Sequence, residues 1–389
     1  MRTWRVRTEA DLPPRESDVR VSWEPQLGEP VMLRKDWCAF LAGEYDQPVG
    51  GVHREPSRPF REVLADTSRQ NIGLWVTFPN PPPGRFRHAE FKMQTVSEGD
   101  DCAAIVDAIR RDLSLGAGVK RFAFGSVPVF AVGDEHVVKL FPPRERSCFN
   151  AERAALTCID GVLPIPTPRV IAAGERGQWL YIVMGRLSGC SLAEAWPTIE
   201  VHDRFQLMRE AGAALAALHA TATDELAPLA VDWPRFMDAQ RASCRDRQLA
   251  RGLGAPWVDA VGDFLARRAP GDDGARALLH TEVMREHLLV ERREDAWHIS
   301  GLIDFEEAMV GAPEYELASA GIFLTCAEPG LLRALLDAYG AEVDDELPLR
   351  IMAYALLHRY SDLGWYLERL PVPDDVGDLE SLARRWFTP

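Results

Sequence analysis

The chain of 389 residues has no apolar run long enough to cross a bilayer as a helix, which takes about 18 residues. Behind the basic start Met1-Arg2-Thr3-Trp4-Arg5 no apolar stretch follows, so neither a signal peptide nor a membrane span is expected. Cysteines are few and show no Cys-x-x-Cys spacing. The seven (Cys38, Cys102, Cys148, Cys158, Cys190, Cys244 and Cys326) are odd in number and scattered, which argues against a disulfide framework and for reduced thiols in a cytoplasmic protein. A Gly-x-x-x-x-Gly-Lys-Ser/Thr segment is missing, which excludes a P-loop. His280-x-Glu282 lacks the Pro-Cys-x-x-Cys partner of a zinc deaminase, and Gly189-Cys190-Ser191-Leu192-Ala193 lacks the second glycine of a nucleophile elbow. There is no internal repeat and no low-complexity tract. Positive charge is also short: 44 basic side chains face 59 acidic ones, a net charge of -15. Residues 1 to 100 hold 14 basic and 15 acidic side chains, so the excess lies beyond them. That disfavours nucleic-acid backbones as partners and favours a cationic small molecule; the plainer reading is that the charge keeps the protein dispersed.

What is present divides by texture. Residues 1 to 100 are rich in proline and aromatics, with strands expected over Val19–Trp23, Ile72–Phe78 and Phe86–Val96 and a short helix over Pro30–Leu41. His53, His88 and Glu90 have no metal-ligand spacing, and no chemistry is assigned to this region. The acidic stretch Ser97–Asp101 reads as a boundary. From Cys102 an amphipathic helix (Ile105, Ile109, Leu113) leads into strands over Arg121–Phe130, Ala131–Val132 and His136–Phe141. A helix with Glu152, Ala155 and Leu156 follows, then strands over Arg169–Gly174 and Trp179–Gly185. Three strands, a helix and two strands describe an antiparallel sheet carrying one helix, which a βαβ unit would not give. Beyond Gly189 the apolar spacing turns helical: Arg204–Ala220, Trp257–Arg267, Tyr315–Thr325, Leu331–Tyr339, Leu349–Glu368 and Leu379–Trp386. The fold class read from this order is α+β in two lobes, with residues 101–187 as the sheet lobe, 188–389 as the mainly helical lobe and 1–100 as an accessory domain.

Three segments carry candidate chemistry. Gly125 and Ser126 lie in a small-residue turn between strands, where backbone amides can approach phosphate oxygens closely. Lys139 sits in the apolar strand His136-Val137-Val138-Lys139-Leu140, where a buried ammonium needs a counter-ion. Glu152, thirteen residues on, is the candidate; Glu145 is a rival, and a solvent-facing lysine on an edge strand is the competing reading. The third segment runs from His280 to Val290 and on to Asp304. Its spacing is that of a phosphoryl-transfer loop, His-x-Asp-x-x-x-x-Asn with a second Asp after a hairpin. Here Glu282 stands in the first acid slot, His287 in the Asn slot, and Asp304 ends the apolar strand Leu302-Ile303. An acid there is costly unless it pairs, caps the next turn or binds metal, so His287 and Asp304 are the candidate metal ligands. Imidazole at 287 suits manganese better than the amide it replaces, while magnesium is the usual ion. The acids Glu306, Glu307 and Glu314 follow, candidates for drawing in a cationic acceptor.

From about residue 102 onward the chain resembles the aminoglycoside phosphotransferase family, small-molecule kinases with a protein-kinase-like fold. The resemblance rests on Gly125-Ser126, Val138-Lys139, Tyr181-Ile182-Val183-Met184-Gly185-Arg186 through Leu192, His280 to Val290, and Gly301 to Ala308. Gly311-Ala312-Pro313-Glu314-Tyr315-Glu316-Leu317-Ala318 is similar to the family's Gly-Asp-Pro-x-x-Asp-Leu-Ala with both acids altered. The resemblance implies a hinge at Tyr181–Arg186, including Met184 and Arg186, that pairs with adenine. It also implies phosphate binding by Lys139, oriented by Glu152, an architectural role for His280, and ATP or GTP with a divalent cation as cofactors. The activity it implies is phosphorylation of a hydroxyl on an aminoglycoside-like antibiotic or related metabolite, hence antibiotic resistance. Glu282 would orient or deprotonate that hydroxyl. Its extra methylene relative to Asp matters because a misplacement of about an angstrom can cost on the order of a hundredfold in rate. His in place of Asn at 287 also occurs in the macrolide-kinase branch. The alternative is a pseudokinase module that binds nucleotide and acts through a partner. A protein kinase fits less well, because Ala312-Pro313-Glu314 comes only eight residues after Asp304. Oligomeric state is left open.

Overall fold

The computed structural model describes residues 2–5, 20–24, 48–49, 58–59, 73–78, 96–123, 125–223, 226–271, 274–372 and 377–389. The chain forms two compact units, residues 1–105 with 250–252, and residues 106–249 with 253–389. In the first unit, strands Arg2–Arg5, Gly73–Phe78 and Arg20–Glu24 form an antiparallel sheet in that order. Two of the three strands expected in this region are therefore present. The expected helix over Pro30–Leu41, residues 86–95 of the third strand, and His53, His88 and Glu90 lie outside the described residues. Ser97–Asp101, read from its acidity as a connection, instead belongs to the helix Val96–Asp112.

The second unit begins with a five-stranded antiparallel sheet in the order Val119–Arg121, Val129–Val132, His136–Phe141, Trp179–Gly185, Val170–Arg176. The single strand expected over Arg121–Phe130 is two strands, closed by Phe122 N–H donating to Val129 O at 2.9 Å, with the Gly125-Ser126 turn between them. Lys139 lies on the central strand opposite Val129 on one side and Ile182 on the other. Helix Arg146–Cys158 packs on this sheet through Phe149, Ala151, Ala155 and Leu156, and that apolar face also carries Glu152 inward.

The rest is helical around a hairpin, as the 3.6-residue periodicity requires. Helix Val201–His219 lies against helix Pro329–Tyr339 so closely that a Cβ on Gly212 would stand 2.2 Å from Leu335 O. Helix Trp233–Ala250 carries too few apolar residues for its periodicity to stand out in the sequence. Strands Leu288–Arg293 and Ala296–Leu302 form the hairpin, and Ala277–Leu279 pairs with Met309–Gly311. Two expected helices are divided. Tyr315–Thr325 is an α-helix over Pro313–Ser319 followed by a π-helical turn over Ala320–Leu324. Leu349–Glu368 is two helices, Leu347–Leu357 and Leu363–Arg369, because the side chain of Asp362 caps the second by accepting from Trp365 N–H at 2.9 Å. Among the described residues no helix is long and apolar enough to cross a membrane.

Candidate active site

The loop after strand Ala277–Leu279 is fixed from below before it presents anything to solvent. His280 and Thr281 are fully buried, and their backbone N–H groups both donate to the Glu316 carboxylate, at 2.5 and 3.1 Å. Burial pushes the Glu316 carboxyl up, but His219, His280 and the backbone donors outweigh it and leave it below its ordinary value. Thr281 has φ of 74°, a left-handed conformation that a β-branched residue adopts only when its surroundings impose it. They do so here through every polar atom it has. Its N–H goes to Glu316, its hydroxyl donates to Glu307 O at 3.1 Å, and its carbonyl accepts from His358 Nε2 at 3.1 Å.

The histidine tautomers follow from their partners. His280 Nε2 faces Ile303 O at 2.9 Å and must donate, so Nδ1 accepts from Glu282 N–H at 3.3 Å. Burial lowers the His280 pKa, and its ring packs on Phe305 at 4.5 Å between centroids. The ring has both nitrogens engaged in holding the loop, the architectural role expected of it. His287 Nδ1 donates to Glu282 O at 2.8 Å. In its neutral form its Nε2 lone pair therefore points at Asp304 Oδ2, 3.4 Å away. Two acceptors face each other at that distance only if a proton or cation lies between them. The contact is an ion pair when Nε2 carries a proton, and otherwise His287 Nε2 and Asp304 Oδ2 are the two atoms that could hold a cation between them.

Asp304 is itself left-handed, with φ of 74°, and its other oxygen takes a hydrogen bond from Lys139 Nζ at 2.7 Å. Lys139 also lies 2.8 Å from Glu152 and 3.0 Å from Glu306, while Glu145 is turned instead toward Arg144 and Cys148. Burial opposes charge on Lys139, yet Asp304, Glu152 and Glu306 hold its pKa well above the ordinary value. Asp304 behaves likewise: burial works upward, but Lys139 and His287 keep its carboxyl well below the usual range. Glu152 goes the other way, pushed up to about 7 by burial despite Lys139. Ser126 Oγ donates to Glu306 Oε1, tying the turn between the first strands to this cluster. At Gly125 φ is 144°, and a Cβ there would stand 2.9 Å from Val127 O, so glycine is required. Glu282, half-buried, is pushed up to about 8 by burial and by Asp304, Glu307 and Glu306, with Arg359 only partly offsetting them.

The remaining expected residues are placed less centrally. Met184 has a buried side chain opposite Val137 at the end of its strand, and the exposed Arg186 donates its N–H to Glu135 O at 2.8 Å. Glu307 pairs with Arg359 and accepts from Tyr360 OH at 2.8 Å, and Glu314 takes both its bonds from Arg350 Nε at 2.9 and 3.1 Å. With Glu306 on Lys139, all three of these acids already have a cation of the chain beside them. Sequence reasoning missed the residues that brace the loop: His358, Arg359 and Tyr360 in the helix break, and Arg285 within the loop. Arg285 donates to Leu324 O at 2.8 Å and lies 3.4 Å from the Trp196 ring centroid. The capping Asp362 was the available signal for the break. For Arg285 the signal was a charged residue in an otherwise apolar-and-functional loop.

The model of the phosphotransferase enzyme family (APH) matches residues 118–351. Among solved structures, the GDP complex of wild-type aminoglycoside 2'-phosphotransferase-IIIa aligns at 15% identity over 69% of this chain and 94% of that one, with a TM-score of 0.56. The GDP and kanamycin complex of APH(2")-IIIa aligns at 15% identity over 69% and 95%, with a TM-score of 0.57. At such identity the likeness establishes the protein-kinase-like bilobal fold. No curated protein matches the chain.

Proposed function

Because the chain belongs to the phosphotransferase enzyme family, we propose that it transfers the γ-phosphoryl group of ATP to a hydroxyl of a small molecule, an aminoglycoside-like antibiotic or a related metabolite. The observation that carries this reading is the convergence of Lys139, Asp304 and His287, three groups from two lobes, on one point beside Glu282. The hinge backbone at Tyr181–Arg186 would pair with adenine, and the turn at Gly125 and Ser126 would lie over the phosphates. Lys139, oriented by Glu152, would shift its ammonium to the phosphate oxygens. His287 and Asp304 would hold magnesium, or manganese, which neutralises charge on the transferring group. Glu282 would align the acceptor hydroxyl and, in its ionised form, take up its proton as the new O–P bond forms and the bond to the leaving ADP breaks.

Glu306, Glu307 and Glu314 remain the acids nearest to hand for a cationic acceptor, but each would have to give up a lysine or arginine of the chain to meet one. Phosphorylation of an aminoglycoside would make the protein a resistance enzyme. A cytoplasmic setting fits the free cysteines of the described residues. The deciding experiment incubates the full chain with labelled ATP, and separately GTP, and a panel of aminoglycosides, macrolides, nucleosides and sugars. Label moving to one acceptor class is the expected result. Nucleotide binding with no transfer to any member would replace the enzyme by a nucleotide-binding module.

A further inference from the structure

Thr281 joins three segments of the chain beside the reacting end of the site. Its hydroxyl donates to Glu307 O at 3.1 Å, its carbonyl accepts from His358 Nε2 at 3.1 Å, and Glu282 follows it in the sequence. Glu307, Arg359 and Tyr360 are thereby gathered next to Glu282, and the Arg359 charge is felt there. The Glu307 carboxylate is held as a fork: Oε2 takes Arg359 Nη1, and Oε1 takes Tyr360 OH at 2.8 Å. Arg359 is fixed by three further contacts. Its backbone N–H donates to Tyr315 OH at 3.0 Å, its guanidinium carbon lies 5.5 Å from the Phe236 ring centroid, and its Nη2 gives a donor to the Met309 thioether, a weak acceptor. Solvent nevertheless reaches the group, since the Arg359 side chain is 25% exposed and Tyr360 43%.

We propose that Arg359, Glu307 and Tyr360 form an acceptor subsite that selects an uncharged, polyhydroxylated molecule, through the vicinal diol of a sugar or of a ribonucleoside, over a polycation. The proposal rests on the phosphotransfer reading given above. An ammonium group reaching Glu307 would displace Arg359, exchanging one cation for another and leaving a largely buried guanidinium unpaired, which is costly. The same exchange would be needed at Glu306, which has Lys139, and at Glu314, which has Arg350. A hydroxyl needs no exchange, because it donates and accepts at once. The guanidinium has five N–H donors, the carboxylate oxygens each accept more than one bond, and a phenol oxygen accepts as well as donates. One hydroxyl of a diol can therefore donate to Glu307 or Tyr360 while its neighbour accepts from Arg359, with no charge moved. Another hydroxyl of the same molecule is then left for Glu282.

The test reads binding rather than transfer. Saturation-transfer NMR on the full chain with saturating ADP gives affinities for maltose, uridine and kanamycin, the last a hydroxylated ring compound that also carries ammonium groups. Maltose or uridine should bind about tenfold more tightly than kanamycin, and which of the two binds identifies the source of the diol. That affinity should change less than about twofold between about 0.05 and 0.5 M salt, since binding forms no ion pair. Tyr360→Phe should weaken the neutral ligand about fivefold, the loss of one hydrogen bond. Arg359→Gln should weaken it as well and, by releasing the Glu307 charge, tighten kanamycin, so that the preference shrinks or reverses. A merely structural role for Arg359 predicts instead that all three affinities fall together with the melting temperature. Should Arg359→Gln fail to fold, the preference of the parent chain and the exposed substitution Tyr360→Phe decide. Kanamycin binding more tightly than both neutral ligands, binding of none of the three, or parent-like affinity in Tyr360→Phe overturns the proposal. The expected binding pattern without phosphotransfer to any acceptor would count against the proposed function alone, whereas preferred phosphorylation of kanamycin would uphold that function and sink this inference.

Discussion

The floor of the catalytic loop and the cluster above it are built from similar residues in opposite ways. Below, Glu316, Thr281, His280 and His358 are joined by hydrogen bonds that each have a donor and an acceptor, two of them ending on the Glu316 carboxylate. Above, three carboxylates compete for one ammonium, and a histidine ring nitrogen faces a carboxylate oxygen. A satisfied buried network makes a single rigid arrangement, whereas an unbalanced one is costly until something else completes it. The contrast separates residues whose loss should unfold the site from residues whose loss should leave the fold and remove the chemistry.

The sharpest break in that contrast comes from Asp304→Asn. Phosphotransfer should drop on the order of a thousandfold, since a metal-binding and charge-stabilising group is lost. Its melting temperature should stay close to that of the parent protein because one acid leaves an overcharged cluster; full activity would sink the metal assignment. Glu316→Ala tests the floor. It strands two buried N–H groups and should cost about 3 kcal/mol of stability in chemical denaturation, with any surviving activity falling as the loop loosens. A change below about 0.5 kcal/mol, the size typical of surface sites, would show that Glu316 is not a support.

Acid should weaken the same floor through His358, whose pKa is lowered from 6.5 to about 4, by burial first and then by Arg359 and Arg247, against its bond to Thr281. Between those values the unfolded chain binds a proton that the folded chain refuses, so stability is full above pH 6.5 and declines as the pH falls toward 4. The loss is on the order of 3 kcal/mol from this group, and His358→Gln should flatten that part of the curve of unfolding free energy against pH. The smallest effect is expected at the side of the loop. Arg285→Ala removes one hydrogen bond and a cation–π contact with Trp196, worth about 1 to 2 kcal/mol together. Trp196→Leu should reproduce only the part due to the ring.

The residues that carry charge toward one another were legible in the sequence because each breaks a local rule. Lys139 interrupts an apolar strand, Glu152 lies on the buried face of a helix, and Asp304 ends an apolar run. The five-stranded sheet was legible from short apolar stretches divided by turns. What could not be read was the brace. His358 touches Thr281 across 77 residues, and Glu316 reaches His280 across 36, through contacts that no periodicity encodes. Helical spacing runs through 349–368 without interruption, so the break at His358–Asp362 was hidden by the apolar pattern on both sides of it. Glu306 was placed with the acceptor because it follows Asp304 in an acidic run; its contact with Lys139 depends on how two lobes close.

That break also bears on when the site comes into being. A chain made from its N-terminus presents the loop at 280–287 to solvent well before residue 358 has been synthesised. Until then Thr281 lacks the partner that occupies its carbonyl, and nothing yet made at that end holds its left-handed backbone. Glu316 and Glu307, made earlier, can already hold the Thr281 N–H and hydroxyl, so the carbonyl is the last of its polar groups to be paired. Any product ending short of the brace would lack that contact.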